Sequence, residues 1–307
     1  MKKVPLSLCV ILVLATSKLM AQIPAPFDKV FSGIKDSVTK KVLSNPNEYR
    51  YQIVYTQINR DKNGQPSFTN YNLQVDANKY FNPASMVKMP LAFLSLEKLN
   101  ELNVQGVNKY TTMRFDSSYQ RQVAMAFDSS AENKKPSIAH FIKRAFLISE
   151  NDPYNRMYQF IGQGAANQKL QNKGYTSARI TRQFMGYTED QNRHTNGIQF
   201  YNDKGSNILS LPPQYNKDSF EFGAPILIGN AHWNSRDELI NAPYDFTKHN
   251  NISLSDMQKM LQAVIFPNSV PVHSRFNITE TDRQFLLQYL SQYPSESNYP
   301  KYDTTTF

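Results

Sequence analysis

Apolar positions recur along the chain with two periods. Val30, Ile34 and Val38 stand about one turn apart, which predicts an amphipathic helix over 27–43. Alternation with period two follows over 49–58 and again over 67–75. Asp61-Lys62-Asn63-Gly64 lies between them as a turn signal, so the pair reads as a β-hairpin. From about 85 to 100 the pattern is helical. Leu91, Phe93, Leu94, Leu96 and Leu99 give this helix enough apolar surface to be buried on more than one side. Residues 101–135 are polar and irregular, with turns at Asp116-Ser117-Ser118 and Asp128-Ser129-Ser130. Pro136 opens the next helix, where a missing N–H costs nothing, and Ile138, Phe141, Ile142, Ala145 and Phe146 carry it to about Ile148.

The chain then breaks at Ser149-Glu150-Asn151. Asp152-Pro153 reads as the N-cap and first residue of a second short helix ending at Gly162. Residues 178–184 are a short extended segment, and 197–250 a loop-rich insertion with Pro212-Pro213 and several aromatics. Two capped helices end the pattern. The first, over 253–265, carries Leu254, Met257, Met260, Leu261 and Val264 on one face. The second, over 279–290, has Thr279 and Asp282 as a capping pair.

The N-terminus changes the picture of where such a protein works. Lys2 and Lys3 precede an apolar run from Pro5 to Thr16, too short for a bilayer, with Leu19-Met20-Ala21 before Gln22. Residues 1–21 therefore read as a secretory signal, leaving 22–307 as one domain in the periplasm or outside the cell. The one cysteine, Cys9, lies inside that leader. Leu8 before it is too large for a lipoprotein cleavage site, so no stable membrane anchor is expected. The exported protein has no disulfide, thiolate metal site or cysteine nucleophile. The formal charge of +9 includes Lys2, Lys3 and Lys18; the remaining +6 is spread along the sequence and marks no nucleic-acid footprint. The scattered histidines have no metal-ligand spacing, and neither a metal nor another cofactor is expected.

Candidate chemistry rests on Ser85. The sequence holds four Ser-x-x-Lys matches: Ser32/Lys35, Ser37/Lys40, Ser85/Lys88 and Ser95/Lys98. Only Ser85 follows a Pro-containing turn at a helix start, with Lys88 one turn on along the same face. A serine needs a neighbour to take its proton, and a lysine whose pKa is lowered by burial can do so. Read alone, Ser85 is either a nucleophile or an N-cap, and Ser149 and Asn151 are either presented groups or ordinary capping residues. No Gly-x-Ser-x-Gly elbow supports a Ser-His-Asp enzyme using His232 or His249; His232-Trp233 reads as packing within the insertion, and His194 as a structural hydrogen-bonder.

Ser85-x-x-Lys88 followed by Ser149-Glu150-Asn151 resembles the penicillin-recognising serine hydrolases, with the flanking sequence most similar to the class A β-lactamase branch. The resemblance runs from about Phe27 through Leu290. It implies an α/β (α+β) sandwich, an antiparallel sheet with helices on both faces and an all-helical lobe. By resemblance, Ser85 is the acylated nucleophile, Lys88 its proton partner, and Ser149 the relay to the leaving nitrogen. Asn151 would bind the substrate's side-chain amide, and Glu189 is the candidate to activate the deacylating water. The sequence departs from the family pattern in three ways. Glu150 stands where the family has Asp. Glu189 and Asn192 are three apart where the family has four. The Lys-Thr-Gly or Lys-Ser-Gly motif and its strands do not follow 279–290.

The implied ligand is a small-molecule β-lactam or a peptidoglycan-like peptide, taken by a monomer without nucleic-acid partners. The leading expectation is an exported β-lactamase acting through a Ser85 acyl-enzyme. The alternatives are a penicillin-binding peptidase or other acyl hydrolase of the same fold, or a non-catalytic envelope binding protein using 197–250. With only the first hairpin read as strand, the sheet is expected to be incomplete and the C-terminal part of the domain truncated.

Overall fold

The helices that start at Ser37, Ile138, Glu189, Leu254 and Glu280 are each opened by a preceding side chain that accepts an otherwise free backbone N–H. The computed structural model describes residues 23–303 and residue 305; the expected leader over 1–21, with Cys9, lies outside the described residues. The protein divides into two units, one comprising residues up to Gln57 with Phe68–Gln74, the other Ile58–Ser67 and Val75 onward.

The first unit holds α1 (Ala25–Ser32), α2 (Ser37–Ser44) and α3 (Pro46–Tyr49), then most of β1 (Ile53–Arg60) and β2 (Pro66–Leu73). The single helix predicted over 27–43 is two helices. Gly33 ends α1, and the Asp36 carboxylate starts α2 by accepting the Thr39 N–H at 2.6 Å. Val30 and Val38 are 61% and 69% exposed, so their spacing marks no buried face. The predicted hairpin is present. Tyr55 stacks on Tyr71 at 5.8 Å, and Thr56 Oγ1 donates to Asn70 Oδ1 at 2.7 Å across the strands. At its tip, Asp61 Oδ1 accepts the N–H groups of Asn63 and Gln65, both at 2.8 Å, and Gly64 takes a φ of +77°.

The second unit is organised around α4 (Lys88–Leu102), entered through a 3₁₀ turn over Ala84–Val87. Leu91, Phe93, Leu94 and Leu96 on α4 are buried, as its all-round hydrophobicity predicted. Each of these residues adds about 1.5–3 kcal/mol by leaving water. After β3 (Thr112–Phe115), α5 (Ile138–Leu147) and α6 (Asn151–Ile161) pack on α4 and on each other. Helix α5 starts two residues after Pro136, because Ser137 Oγ caps it by accepting the His140 N–H at 3.2 Å. Asp152 is not a cap: the N-cap of α6 is Glu150, and Asp152 instead accepts from Arg156 Nε at 3.2 Å. Helices α7 (Gln163–Asn172) and α8 (Glu189–Arg193) were not expected; both are polar, and α8 is held by a Thr188–Gln191 capping box.

The strand content exceeds what the alternation pattern predicted. Strand β3 lies in the stretch read as irregular. β4 (Ile198–Tyr201) and β5 (Asn207–Leu211) lie in the stretch read as a loop-rich insertion. The three form one antiparallel sheet in the order β3-β4-β5, with Met113 opposite Phe200 and a bulge after Phe200. Phe200 packs edge-on against Phe160 of α6 at 5.9 Å, so this part of the insertion belongs to the core. The insertion then forms β6 (Leu227–Ile228), β7 (His232–Trp233), β8 (Leu239–Ile240) and β9 (Tyr244–Asp245), paired as β6-β9 and β7-β8. His232 packs inward on Tyr244, whereas Trp233 is exposed. The helices α9 (Leu254–Ile265) and α10 (Glu280–Ser291) carry the predicted caps, Ser253 and the Thr279–Asp282 box. Among the described residues no strand follows α10 and no helix is long and apolar enough to cross a membrane. The fold is mixed α+β, as expected, and the strands of the described residues are spread over four small sheets.

Candidate active site

The turn before α4 is built by side-chain and backbone bonds that leave Ser85 outside. Asn82 Oδ1 accepts the Ala84 N–H at 3.0 Å, and the Met86 N–H donates to Pro83 O at 2.9 Å. Ala84 takes a φ of +43°, a left-handed conformation that costs an alanine about 1 kcal/mol or more. Ser85 is exposed, while Lys88, one turn on, is 2% exposed. The nucleophile candidate is thus open to solvent and its proton partner is not.

Helices α5 and α6 are separated by three residues, Ile148, Ser149 and Glu150. Ser149 has a φ of +61°, so the break is a left-handed corner rather than a flexible loop. Because α6 packs on α4, this corner meets the start of α4. The Lys88 amine is the meeting point. Nζ lies 3.0 Å from Ser85 Oγ, 3.0 Å from Ser149 Oγ and 2.9 Å from Asn151 Oδ1, and it also donates to the Ser149 carbonyl. Four of the five site residues named from sequence therefore converge on one nitrogen.

Burial pushes the Lys88 amine down to about 8, although the nearby negative charge of Glu150 opposes the shift. Lys88 forms no ion pair among the described residues. The group facing it from the 178–184 segment is an aromatic ring: Nζ stands 5.4 Å from the centroid of Phe184. Phe184 is held there by a tilted ring contact with Tyr154 at 4.4 Å and by its N–H, which donates to Asn155 Oδ1 at 2.8 Å. Asn155 is one turn beyond Asn151 on α6.

Glu150 gains an anchor that sequence spacing did not reveal. Arg144, on α5, donates through Nε to Glu150 Oε2 at 3.0 Å and through Nη2 to the same carboxylate. Its Nη1 reaches Asp128 Oδ2 at 2.7 Å. Asp128 also accepts from Ser130 Oγ at 2.6 Å and faces His140 Nε2 at 3.4 Å. Tyr302 donates to the other Glu150 oxygen at 3.4 Å.

Glu189 is not brought to this cluster. It opens α8, is exposed, and its carboxylate pairs with Lys248. Asn192, three residues on, is buried and spends its amide on the backbone, accepting the Gln183 N–H at 2.8 Å and donating to Thr188 O at 2.9 Å. His194 stacks on Tyr119 at 3.5 Å, a packing role. The other Ser-x-x-Lys pair in α4 is structural: Ser95 Oγ bonds Leu91 O at 2.7 Å and Lys98 Nζ bonds Phe160 O at 2.5 Å. Among the described residues no three His, Cys, Asp or Glu residues group together to hold a metal ion.

No curated protein matches the sequence. A family model described as the beta-lactamase enzyme family matches residues 35–293, which include every residue of the Lys88 cluster. A serine, a buried lysine, a second serine and an asparagine meeting at one nitrogen suit proton transfer at a serine nucleophile, and with that match the protein belongs to the beta-lactamase enzyme family, a family of serine hydrolase-type enzymes.

Proposed function

We propose that the protein is an exported, class A-type serine hydrolase that opens β-lactams through an acyl-enzyme on Ser85. One observation carries the reading: the Lys88 amine stands 3.0 Å from both Ser85 Oγ and Ser149 Oγ. Neutral Lys88 takes the Ser85 hydroxyl proton as Oγ bonds to the lactam carbonyl carbon. As the carbon–nitrogen bond breaks, that proton passes through Ser149 to the ring nitrogen. Asn151 Oδ1 accepts from Lys88, which leaves its amide N–H groups to hold the carbonyl of the substrate's acylamino group. Water then attacks the ester, releasing the acid and restoring Ser85. The apolar leader over 1–21 supports work outside the cytoplasm. Hydrolysis of a chromogenic cephalosporin tests this: turnover that disappears in Ser85→Ala supports it, and turnover that survives Ser85→Ala overturns it.

A specific observation favours a second reading of the last step. From the 178–184 segment it is Phe184 that faces Lys88, and Glu189 is engaged by Lys248. Deacylation needs a positioned base. On this reading the acyl-enzyme is long-lived, as in a penicillin-binding peptidase, and an added β-lactam is consumed once per protein molecule.

A further inference from the structure

None of Ser85, Lys88, Ser149 and Asn151 lines the cavity of about 240 Å³ bordered by Arg182, Arg193 and Lys248. Its cations are incompletely neutralised. The Arg182 guanidinium meets His249 Nε2 at 2.8 Å. Burial, reinforced by Arg182, pushes His249 down to about 4, so this partner carries no charge at neutral pH. Arg193 Nη1 donates to the carbonyl oxygens of Asn216, at 2.9 Å, and Asp218. Neither arginine forms an ion pair among the described residues. Lys248 and Glu189 are paired, but their side chains are 58% and 59% exposed, and such surface pairs exchange readily. The remaining carboxylate, Asp245, accepts the Thr247 N–H at 2.8 Å and the Thr247 hydroxyl. Beside the cations lie aromatic faces: Phe220, Phe222 and Tyr187 line the same space, and the Arg193 guanidinium sits 5.9 Å from the Phe220 ring centroid.

A guanidinium binds a carboxylate as a two-pronged fork, and aromatic rings accept a flat apolar group against their faces. We propose that this cavity is a second ligand site, taking a small organic carboxylate that carries an aromatic or similarly flat ring. Arg182 and Lys248 hold the carboxylate, with Phe220 and Phe222 beside the ring. The occupant displaces Glu189 from Lys248. The site stands independently of the chemistry at Ser85.

Calorimetric titration of the exported protein at low salt tests this with benzoate, its neutral analogue benzyl alcohol, and inorganic phosphate. Saturable one-to-one binding of benzoate is expected, with phosphate weaker and benzyl alcohol not binding. Arg182→Gln and Lys248→Gln should each weaken benzoate about tenfold or more, the size of a lost charge-assisted hydrogen bond. Glu189→Gln should tighten it, because Lys248 is freed. Lys248 is exposed, so Lys248→Gln remains informative if Arg182→Gln misfolds. No saturable binding, equal binding of benzyl alcohol, or indifference to both Lys248→Gln and Glu189→Gln overturns the proposal.

Discussion

Ser85 and Ser149 share one nitrogen: Lys88 Nζ lies 3.0 Å from each hydroxyl oxygen, although the serines come from different helix starts. A proton leaving one hydroxyl therefore reaches the other in two short transfers. Lys88→Met is expected to slow acylation by about 10²–10⁴-fold, the usual weight of a general base. Ser149→Ala should keep Lys88 buried but slow loss of the leaving nitrogen. Stopped-flow acylation rates check both, and an unimpaired Lys88→Met would refute the assignment of the base.

Acylation should depend on pH through the same nitrogen. Burial holds Lys88 at about 8, so the neutral, proton-accepting form grows as pH rises. The acylation rate is expected to rise through pH 7 and level off above about 8. The negative charge of Glu150 favours the protonated amine, so Glu150→Gln should move the rise to lower pH. A profile that falls over this range, or a Glu150→Gln profile moved upward, contradicts the account.

The Ser149 corner is held by Arg144, which grips Glu150 on one side and Asp128 on the other. Arg144→Met removes the one guanidinium that both carboxylates share, leaving them hydrogen bonds from Ser130, His140 and Tyr302, and is expected to cost up to about 3 kcal/mol of stability. Burial pushes the Asp128 carboxyl up, but hydrogen bonds from His140 and Ser130 and the charge of Arg144 outweigh it, so Asp128 lies below its ordinary 3.8. A carboxyl lowered on folding contributes stability that is present above 3.8 and lost as pH falls through its folded value. Thermal melts from pH 5 to pH 2 should therefore show the Arg144→Met penalty narrowing as the pH falls below 3.8.

Glu189 separates the two readings of deacylation. If it activates water, Glu189→Gln prolongs the acyl-enzyme. If Phe184 has closed this face of Lys88 to Glu189, Glu189→Gln leaves the lifetime where it was. The engagement of Glu189 by Lys248 and the 5.4 Å approach of Phe184 to Lys88 predict the second outcome, measured as recovery of free enzyme after a pulse of penicillin.

Much of the site was legible because it is local. Ser85 and Lys88 are one turn apart, and Ser149 and Asn151 sit on a break that Pro153 helps define; spacing made them candidates, and the two motifs in family order singled them out. Arg144, Asp128, Tyr302 and Phe184 were not legible, because each reaches the site through tertiary contacts that no local period encodes. Strands β3 and β4 were missed for a related reason. Each is four residues long, too short for alternation to stand out, and their pairing spans Phe115 and Ile198. The opposite error occurred at Val30 and Val38, where helical spacing suggested one continuous helix although Gly33 and Asp36 interrupt it.

The central claim is that Ser85 is the residue that bonds substrate. An intact-mass time course of the protein with excess penicillin, run beside Ser85→Ala, tests it most directly. A single adduct of the drug's mass on the parent protein, absent from Ser85→Ala, is the expected result, and its slow loss is expected from the Phe184 face of Lys88. An adduct that forms equally on Ser85→Ala, or none on a folded parent protein, would contradict it.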